Sequence, residues 1–315
     1  MTTPEDRDLL RSTVAALIDK HASPAKVREA MYSDRGYDEA LWSLLCEQVG
    51  VTALLVPEEF GGAGGELADA AAVLEELGRA LVPTPLLGTT LAQVALLASD
   101  EPDLPALEGL AAGTLIGTVF FAPDYVVNGD IADVAIAATD GSLTRWSAAR
   151  AEALDTMDPT RRLARLTPGD TTSVASDPGL ADTAALLLAA EQVGAATRCL
   201  ELTIDYCKER VQFGRPIGSF QALKHRLADL YVSVQSARAV VWDAIATPSS
   251  TSAALARLAA TEAFCPVAAG AIQMHGGIAI TWEHDIQLYF KRAHGSSQLL
   301  GPTREQLRQL ESEVL

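Results

Sequence analysis

The sequence predicts a mainly α chain with a short strand-rich segment in its middle, and three observations carry that prediction. Alanine is abundant while aromatic residues make up only 5% of 315 positions, a mix that favours close-packed helices, because Ala has the best helix propensity and aromatic and β-branched residues the better strand propensity. Apolar residues recur at helical spacing over both ends of the chain, most persistently from Leu180 onward. Between Gly113 and about Asp177 that period gives way to short apolar runs separated by Asn-Gly, Asp-Gly and Pro-Gly turn signals. At 49% hydrophobic and 21% charged the chain is long enough to bury a sizeable core, and disorder is not expected.

Residues 1–112 read as an N-terminal helical domain. Leu9, Leu10, Val14, Leu17 and Ile18, then Leu41, Leu44 and Leu45, predict two helices between Arg7 and about Val51. The glycines and proline of Val56–Gly65 predict a loop, after which Leu67 to Leu81 resumes the helical period. Pro83 and Pro85 break it, Thr89 to Leu97 reads as helix, and the Asp/Pro segment at Glu101 to Pro105 stops it. Residues 113–178 read as a reduced β domain of about five strands, among them Thr114–Phe121, Val134–Ala138 and Leu163–Leu166, too small to offer much of a ligand-binding wall. Residues 179–315 read as a helix bundle whose long members are Leu180–Arg210, Phe220–Ala246 and Thr251–Met274.

The 41 acidic against 24 basic residues give a formal charge of −17, a surface that repels nucleic acid and anionic membranes unless basic residues cluster, and no such cluster is expected. Cys46, Cys199, Cys207 and Cys265 lack CxxC spacing and read as small buried hydrophobes in a reduced cytoplasm. The N-terminus lacks the basic-then-apolar order of a signal peptide, and no apolar run approaches the roughly 20 residues that span a bilayer, so a cytoplasmic, non-membrane protein is expected.

Two helix junctions have unusual composition. Arg210 to Gln221 presents a guanidinium, an aromatic ring and two amides, Gln212 and Gln221, from a loop stiffened by Pro216. Those groups suit a dinucleotide, since a guanidinium pairs with phosphate oxygens and amides hydrogen-bond ribose or adenine edges. The ordinary alternative is a junction pinned by salt bridges and a buried Phe. At Gln273–Gly277 the paired glycines allow a left-handed helix cap and close approach to a ligand, the alternative being the cap alone. His275 reads as a packing or capping residue, because no second ligand stands at metal spacing beside it, and no metal is expected.

The segments VPEEFGGAGG, RVQFGRPIGSFQALKHRLAD and QMHGGIAIT, in this order and at these separations, resemble the acyl-CoA dehydrogenase family, and the likeness covers both helical regions. The resemblance implies an N-terminal helical domain, a middle β domain, here truncated, and a C-terminal four-helix bundle that also forms the oligomer interface. It implies FAD chemistry in which a carboxylate removes the α proton of an acyl-CoA while the β hydride passes to the flavin, giving a trans-2-enoyl-CoA. Carried over residue by residue, Arg210, Gln212, Phe213 and Gln221, with Gln273, Gly276 and Gly277, would touch FAD held mainly by a neighbouring subunit.

Two departures bear on function. Most members place the base in a Tyr-Glu-Gly-Thr-Ser-Gln motif, whereas the matching stretch here is Ala293-His294-Gly295-Ser296-Ser297-Gln298, with His294 at the base position. The alternative base position, near the start of the long bundle helix, falls on Ala184. The family's flavin-cradling segments, Thr-Glu-Pro with Gly-Ser-Asp and Trp-Ile-Thr, are missing between Gly113 and Asp177, and Thr144 and Trp146 do not align with them, Trp146 reading as a surface or strand packing residue. A flavin without those walls is open to water, which the hydride step must exclude.

A chain that keeps the lent surface but lacks the base resembles the short subunits of heterotetrameric bacterial steroid-degrading acyl-CoA dehydrogenases. The resemblance implies a homologous full-length partner, an acyl-CoA substrate, bulky and steroid-derived, and an acceptor like electron-transfer flavoprotein. Two rivals stand beside it: a self-sufficient homodimer with His294 as base, whose ordinary pKa near 6.5 permits the chemistry, and a non-catalytic scaffold or regulator. Glu191 is a minor base candidate, more simply solvated or paired. Asp182 is a candidate substrate contact, equally explained by the helix dipole.

Overall fold

The computed structural model describes residues 3–301, 307–308 and 310–311. Three helices, rather than two, precede the glycine-rich loop: α1 (Pro4–His21), α2 (Pro24–Met31) and α3 (Glu39–Leu44), the last continuing into a π-helical turn at Leu45–Val49. The extra break has a local cause. The Ser23 hydroxyl accepts from the Lys26 amide at 3.4 Å and Pro24 occupies the first turn, where its missing N–H is not needed. Asp38 likewise caps α3, accepting from the amides of Ala40 and Leu41. After the loop come α4 (Leu67–Arg79), α5 (Leu86–Leu97) and α6 (Leu104–Ala111), α5 starting directly behind Pro85 rather than at Thr89.

Segment 117–176 holds seven strands rather than five: β1 (Gly117–Phe120), β2 (Val126–Val127), β3 (Val134–Thr139), β4 (Ser142–Ser147), β5 (Arg150–Leu154), β6 (Leu163–Thr167) and β7 (Asp170–Ser176). They form a four-stranded sheet, β1-β3-β4-β7, and a three-stranded sheet, β2-β6-β5. β1 runs parallel to β3 and all other pairs are antiparallel. The strands that the expectation does not name are β2, only two residues long, β4, of mixed burial, and β5 and β7, which are largely exposed, and none of these three longer strands carries an apolar run.

The bundle comprises α7 (Leu180–Glu209), α8 (Gln221–Ala246), α9 (Ser250–His275) and α10 (Ile286–Gln298), with a small hairpin of β8 (Val211–Gln212) and β9 (Arg215–Pro216) between α7 and α8. Ser250–Ile280 is long and apolar enough to cross a membrane by length and composition alone, although Arg257, Glu262, Gln273 and His275 interrupt its apolar run. Its apolarity serves packing instead, since α9 buries Ala256, Ala260, Phe264 and Ala271, together with the charged Arg257. The largest apolar cluster joins Val14, Leu74, Ile136, Leu187 and Val241, so the first helices, the strands and the bundle share one core. Cys46, Cys199 and Cys207 are buried and Cys265 half-buried, all as free thiols whose pKa burial pushes up.

α4 and α7 meet backbone to backbone. A Cβ at Gly78 would stand 2.2 Å from the Glu191 carbonyl oxygen, and one at Gly194 would stand 2.0 Å from that of Glu75, so only glycine permits the crossing. The crossing places Glu191 deep in the molecule, where its Oε1 accepts from Arg161 Nη2 and from Arg292 Nη1. Arg292 Nε also donates to Asp158 Oδ2 at 2.8 Å, and its Nη2 to the Thr160 carbonyl at 2.9 Å. The β5–β6 connection is thereby fastened to α7 and α10. Removing one member of a buried ion set leaves the others desolvated and uncompensated, at a cost of about 3–5 kcal/mol. A Glu191→Ala variant is expected to lose stability of that order in urea unfolding, and a loss within about 0.5 kcal/mol of zero, the usual range for surface changes, would refute the account.

Candidate functional site

The outward surface at the end of α7 is built by the β8–β9 hairpin. The buried Ile217 anchors it, its amide donating to the Arg210 carbonyl at 2.7 Å. At the tip, Phe213 adopts φ 53 and is 92% exposed. The buried Phe and salt bridge of an ordinary junction are therefore not found: Phe213 projects, and Arg210 forms no ion pair among the described residues. Gln212 and Gln221 are exposed, Gln212 Nε2 donating to the Val211 carbonyl at 2.8 Å and Gln221 standing 3.5 Å from the His225 ring. The Arg215 guanidinium lies over the Phe220 ring at 4.1 Å.

The expected absence of a basic cluster is corrected here. Five Lys or Arg stand against one Glu between Lys208 and Arg226. Arg210, Arg215, Lys224 and Arg226 are exposed. Overall charge hid this local excess, which favours an anion against the general field of the molecule.

Gln273, Gly276 and Gly277 come to the same end of the bundle. Tyr206 joins the two junctions, its carbonyl accepting from the Arg210 amide at 2.8 Å and its hydroxyl donating to the His275 carbonyl at 3.2 Å. Gly276 does not form the left-handed cap expected of it: φ 66 and ψ −143 place it in a region essentially reserved for glycine. A Cβ at Gly276 or Gly277 would meet nothing within 4 Å, so the space above both backbones is open. Gln273 is exposed beside them. His275 is buried, stacks on Tyr206 at 4.2 Å and donates from Nδ1 to the Ala271 carbonyl at 2.8 Å, a packing residue as its spacing suggested.

On the strand side a cleft of about 850 Å³ opens between the strands and the segment Gly295–Gly301. Phe120, Phe121, Val126 and Leu163 line it, so the strand segment does provide a wall, contrary to the expectation from its size. His294 is not among the lining residues: its ring packs on Phe290 at 4.4 Å, while its neighbours Gly295 and Gln298 face the cleft. Ala184 is fully buried and contributes no base. Glu191 is paired rather than solvated, held between two guanidiniums. Asp182 accepts from the Ser250 hydroxyl at 2.5 Å, tying α7 to α9. Trp146 packs edge-on against Phe120 at 4.8 Å, and Thr144 sits opposite Ala137 in the sheet. Sequence reasoning missed Asp158, Arg161 and Arg292. An Arg in an irregular connection or on a bundle helix carries no local sign that it is buried.

Comparison with known proteins bears on the whole chain. Family models described as the N-terminal and C-terminal domains of acyl-CoA dehydrogenase match residues 4–114 and 180–315. The chain belongs to the acyl-CoA dehydrogenase family. It is 68% identical to the acyl-CoA dehydrogenase IpdE2 of Mycobacterium tuberculosis over 100% of this chain and 99% of that one. Among solved structures it resembles a variant of the Tcur3481-Tcur3483 steroid ACAD with TM-score 0.91 at 27% identity, covering 98% of both chains. It resembles the ChsE4-ChsE5 complex from Mycobacterium tuberculosis equally, with TM-score 0.91 at 27% identity over 99% of this chain and 98% of that one.

The fold family is FAD-binding, and the outward surface suits such a group: a guanidinium with no ion pair among the described residues, a projecting ring, exposed amides and open backbone at Gly276–Gly277. His275 beneath it is held neutral, because burial lowers its pKa from 6.5 more than the Ala271 hydrogen bond raises it. Unfolding therefore takes up a proton once pH falls below 6.5. Unfolding free energy is expected to decline from about pH 7 to about pH 5, and His275→Gln is expected to flatten that part of the profile. An unchanged slope in the variant would refute the assignment.

Proposed function

We propose that this chain is the non-base-bearing subunit of a heteromeric acyl-CoA dehydrogenase, lending half of a flavin site to a homologous full-length partner that desaturates an acyl-CoA between its α and β carbons. One observation carries the reading: the matched FAD-contact residues Arg210, Gln212, Phe213, Gln221, Gln273, Gly276 and Gly277 all face outward at one end of the bundle. Exposed apolar residues are Val211 on the hairpin, Tyr231 and Val232 on α8, and Ile280 and Trp282 between α9 and α10. The missing carboxylate at His294 and Ala184 supports placing the base on the partner. The 68% identity to the acyl-CoA dehydrogenase IpdE2 supports an acyl-CoA substrate, and the likeness to the Tcur3481-Tcur3483 steroid ACAD supports a bulky, ring-bearing one.

When bound, FAD supplies the hydride acceptor, and an acceptor like electron-transfer flavoprotein takes the electrons onward. In this chain Arg210, Gln212, Phe213, Gln221 and Gln273 would hold the group, the guanidinium suited to phosphate oxygens, the amides to ribose or adenine edges and the ring to packing on the nucleotide. Gly276 and Gly277 let the backbone come close where a side chain would stand. His294 as base is disfavoured by its packing on Phe290.

A charge-assisted hydrogen bond contributes about 1.5–3 kcal/mol, or roughly one to two decades of affinity. The chain co-expressed with a longer homologue that retains the Glu is expected to purify as a yellow complex, and Arg210→Ala to lower its FAD affinity at least about tenfold. Visible absorbance per protein measures both. Full occupancy in the variant sinks the phosphate contact, and a yellow, active enzyme from this chain alone sinks the shared site.

A further inference from the structure

Two imidazoles meet beneath the outward surface. His275, the last residue of α9, stands between the Tyr206 ring of α7, stacked on it at 4.2 Å, and the His284 ring of the α9–α10 connection, 4.8 Å away. Its Nδ1 donates to the Ala271 carbonyl at 2.8 Å, which leaves Nε2 as the bare nitrogen. That nitrogen is buried and has no partner among the described residues. His284 Nδ1 accepts from the Ile286 amide at 3.2 Å, a bond for which the ring nitrogen must carry no proton.

A proton on His275 Nε2 would find nothing to bind. From α7 come the Tyr206 hydroxyl, which already donates to the His275 carbonyl at 3.2 Å, and the buried thiol of Cys207 beside Met274. From the connection comes His284, the one ionisable side chain that acts on the charge of His275 among the described residues. Asp285 beside it is bound by Arg28 of α2 at 2.6 Å, and Glu283 is exposed. Burial outweighs the help that the Ala271 carbonyl, near the end of α9, gives an imidazolium. A charged His275 is therefore a desolvated cation facing a second imidazole rather than a carboxylate. The same stack ties the surface together: the Tyr206 carbonyl accepts from the Arg210 amide at 2.8 Å, and the Gly276 amide, next after His275, donates to the Ile272 carbonyl.

We propose that Tyr206, His275 and His284 form an acid-sensitive latch: the stack holds the two junctions together at neutral pH, and protonation of His275 Nε2 turns the ring out of it and opens the outward surface. The direction follows from linkage. The closed stack keeps His275 unprotonated, whereas the opened ring titrates at its ordinary 6.5, so opening takes up a proton and is favoured as pH falls below that value. From about pH 7.5 to about pH 5.5 the open population grows about tenfold. The opening is a property of this chain by itself; only its consequence, release of flavin from the opened surface, rests on the shared-flavin reading.

Amide hydrogen exchange of the full chain at those two pH values, resolved by residue and expressed as protection relative to the unfolded rate, tests it. The Arg210 and Gly276 amides are expected to be at least about a hundredfold less protected than the Gly194 amide in the α4–α7 crossing, the mark of local opening, and to lose about a further tenfold at the lower pH. His275→Phe keeps a ring on Tyr206 without a titrating nitrogen, and is expected to remove that pH dependence. Tyr206→Phe loses only the hydroxyl bond to the His275 carbonyl, and is expected to lower Gly276 protection at both pH values. Junction amides as protected as Gly194 would make the opening global unfolding and overturn the latch. So would pH-independent protection at the junctions, a tenfold loss that persists in His275→Phe, or Gly276 protection unaltered by Tyr206→Phe.

Discussion

Glu191 between Arg161 and Arg292 is the contact on which the rest of the arrangement depends. Three parts of the chain meet there: the β5–β6 connection, the middle of α7 and the middle of α10. Apolar packing joins the same parts, but it is non-directional and tolerates sliding. A carboxylate shared by two guanidiniums does not. Its position follows from the glycine crossing of α4 over α7, which brings the two backbones to the distance at which Glu191 lies inside the molecule rather than on its surface. The strand segment, small as it is, is thus held at a defined position against the bundle, and the cleft between them has a fixed wall.

The opposite condition holds at the end of α7. There the polar and aromatic groups face outward and meet only near neighbours in the chain. Phe213 is 92% exposed, Arg210 answers no carboxylate among the described residues, and Gly276 is required by its own backbone angles while the space above it stays open. A surface whose residues contribute so little to their own chain is free to be specified by what binds it. Tyr206 and His275 support it from beneath, as a stacked pair hydrogen-bonded to the two junctions.

Much of the fold was legible in the sequence, and for a local reason. The long helices were readable from apolar spacing, α7 ending one residue before the expected Arg210. Failures fell where the signal was short or absent: the Ser23–Pro24 break, the two-residue β2, the part-buried β4 and the exposed β5 and β7. For the site, the motif residues at 210–221 and 273–277 could be named and the lost carboxylate at 294 read directly. The basic cluster between Lys208 and Arg226 was also there to be read, but the overall charge obscured it.

By itself the sequence determined the order of helices and strands, the family likeness and the absence of a carboxylate at either base position, because each depends on residue type over a few turns of chain. Only the tertiary structure decided which charges are buried together. Arg161 and Arg292 lie 30 and 101 residues from the Glu191 they share, and no local pattern distinguishes them from solvated arginines. The cleft wall, the turn of His294 towards Phe290 and the meeting of two distant junctions at Tyr206 were settled in the same way, since packing and desolvation act between elements that the chain brings together only when it folds.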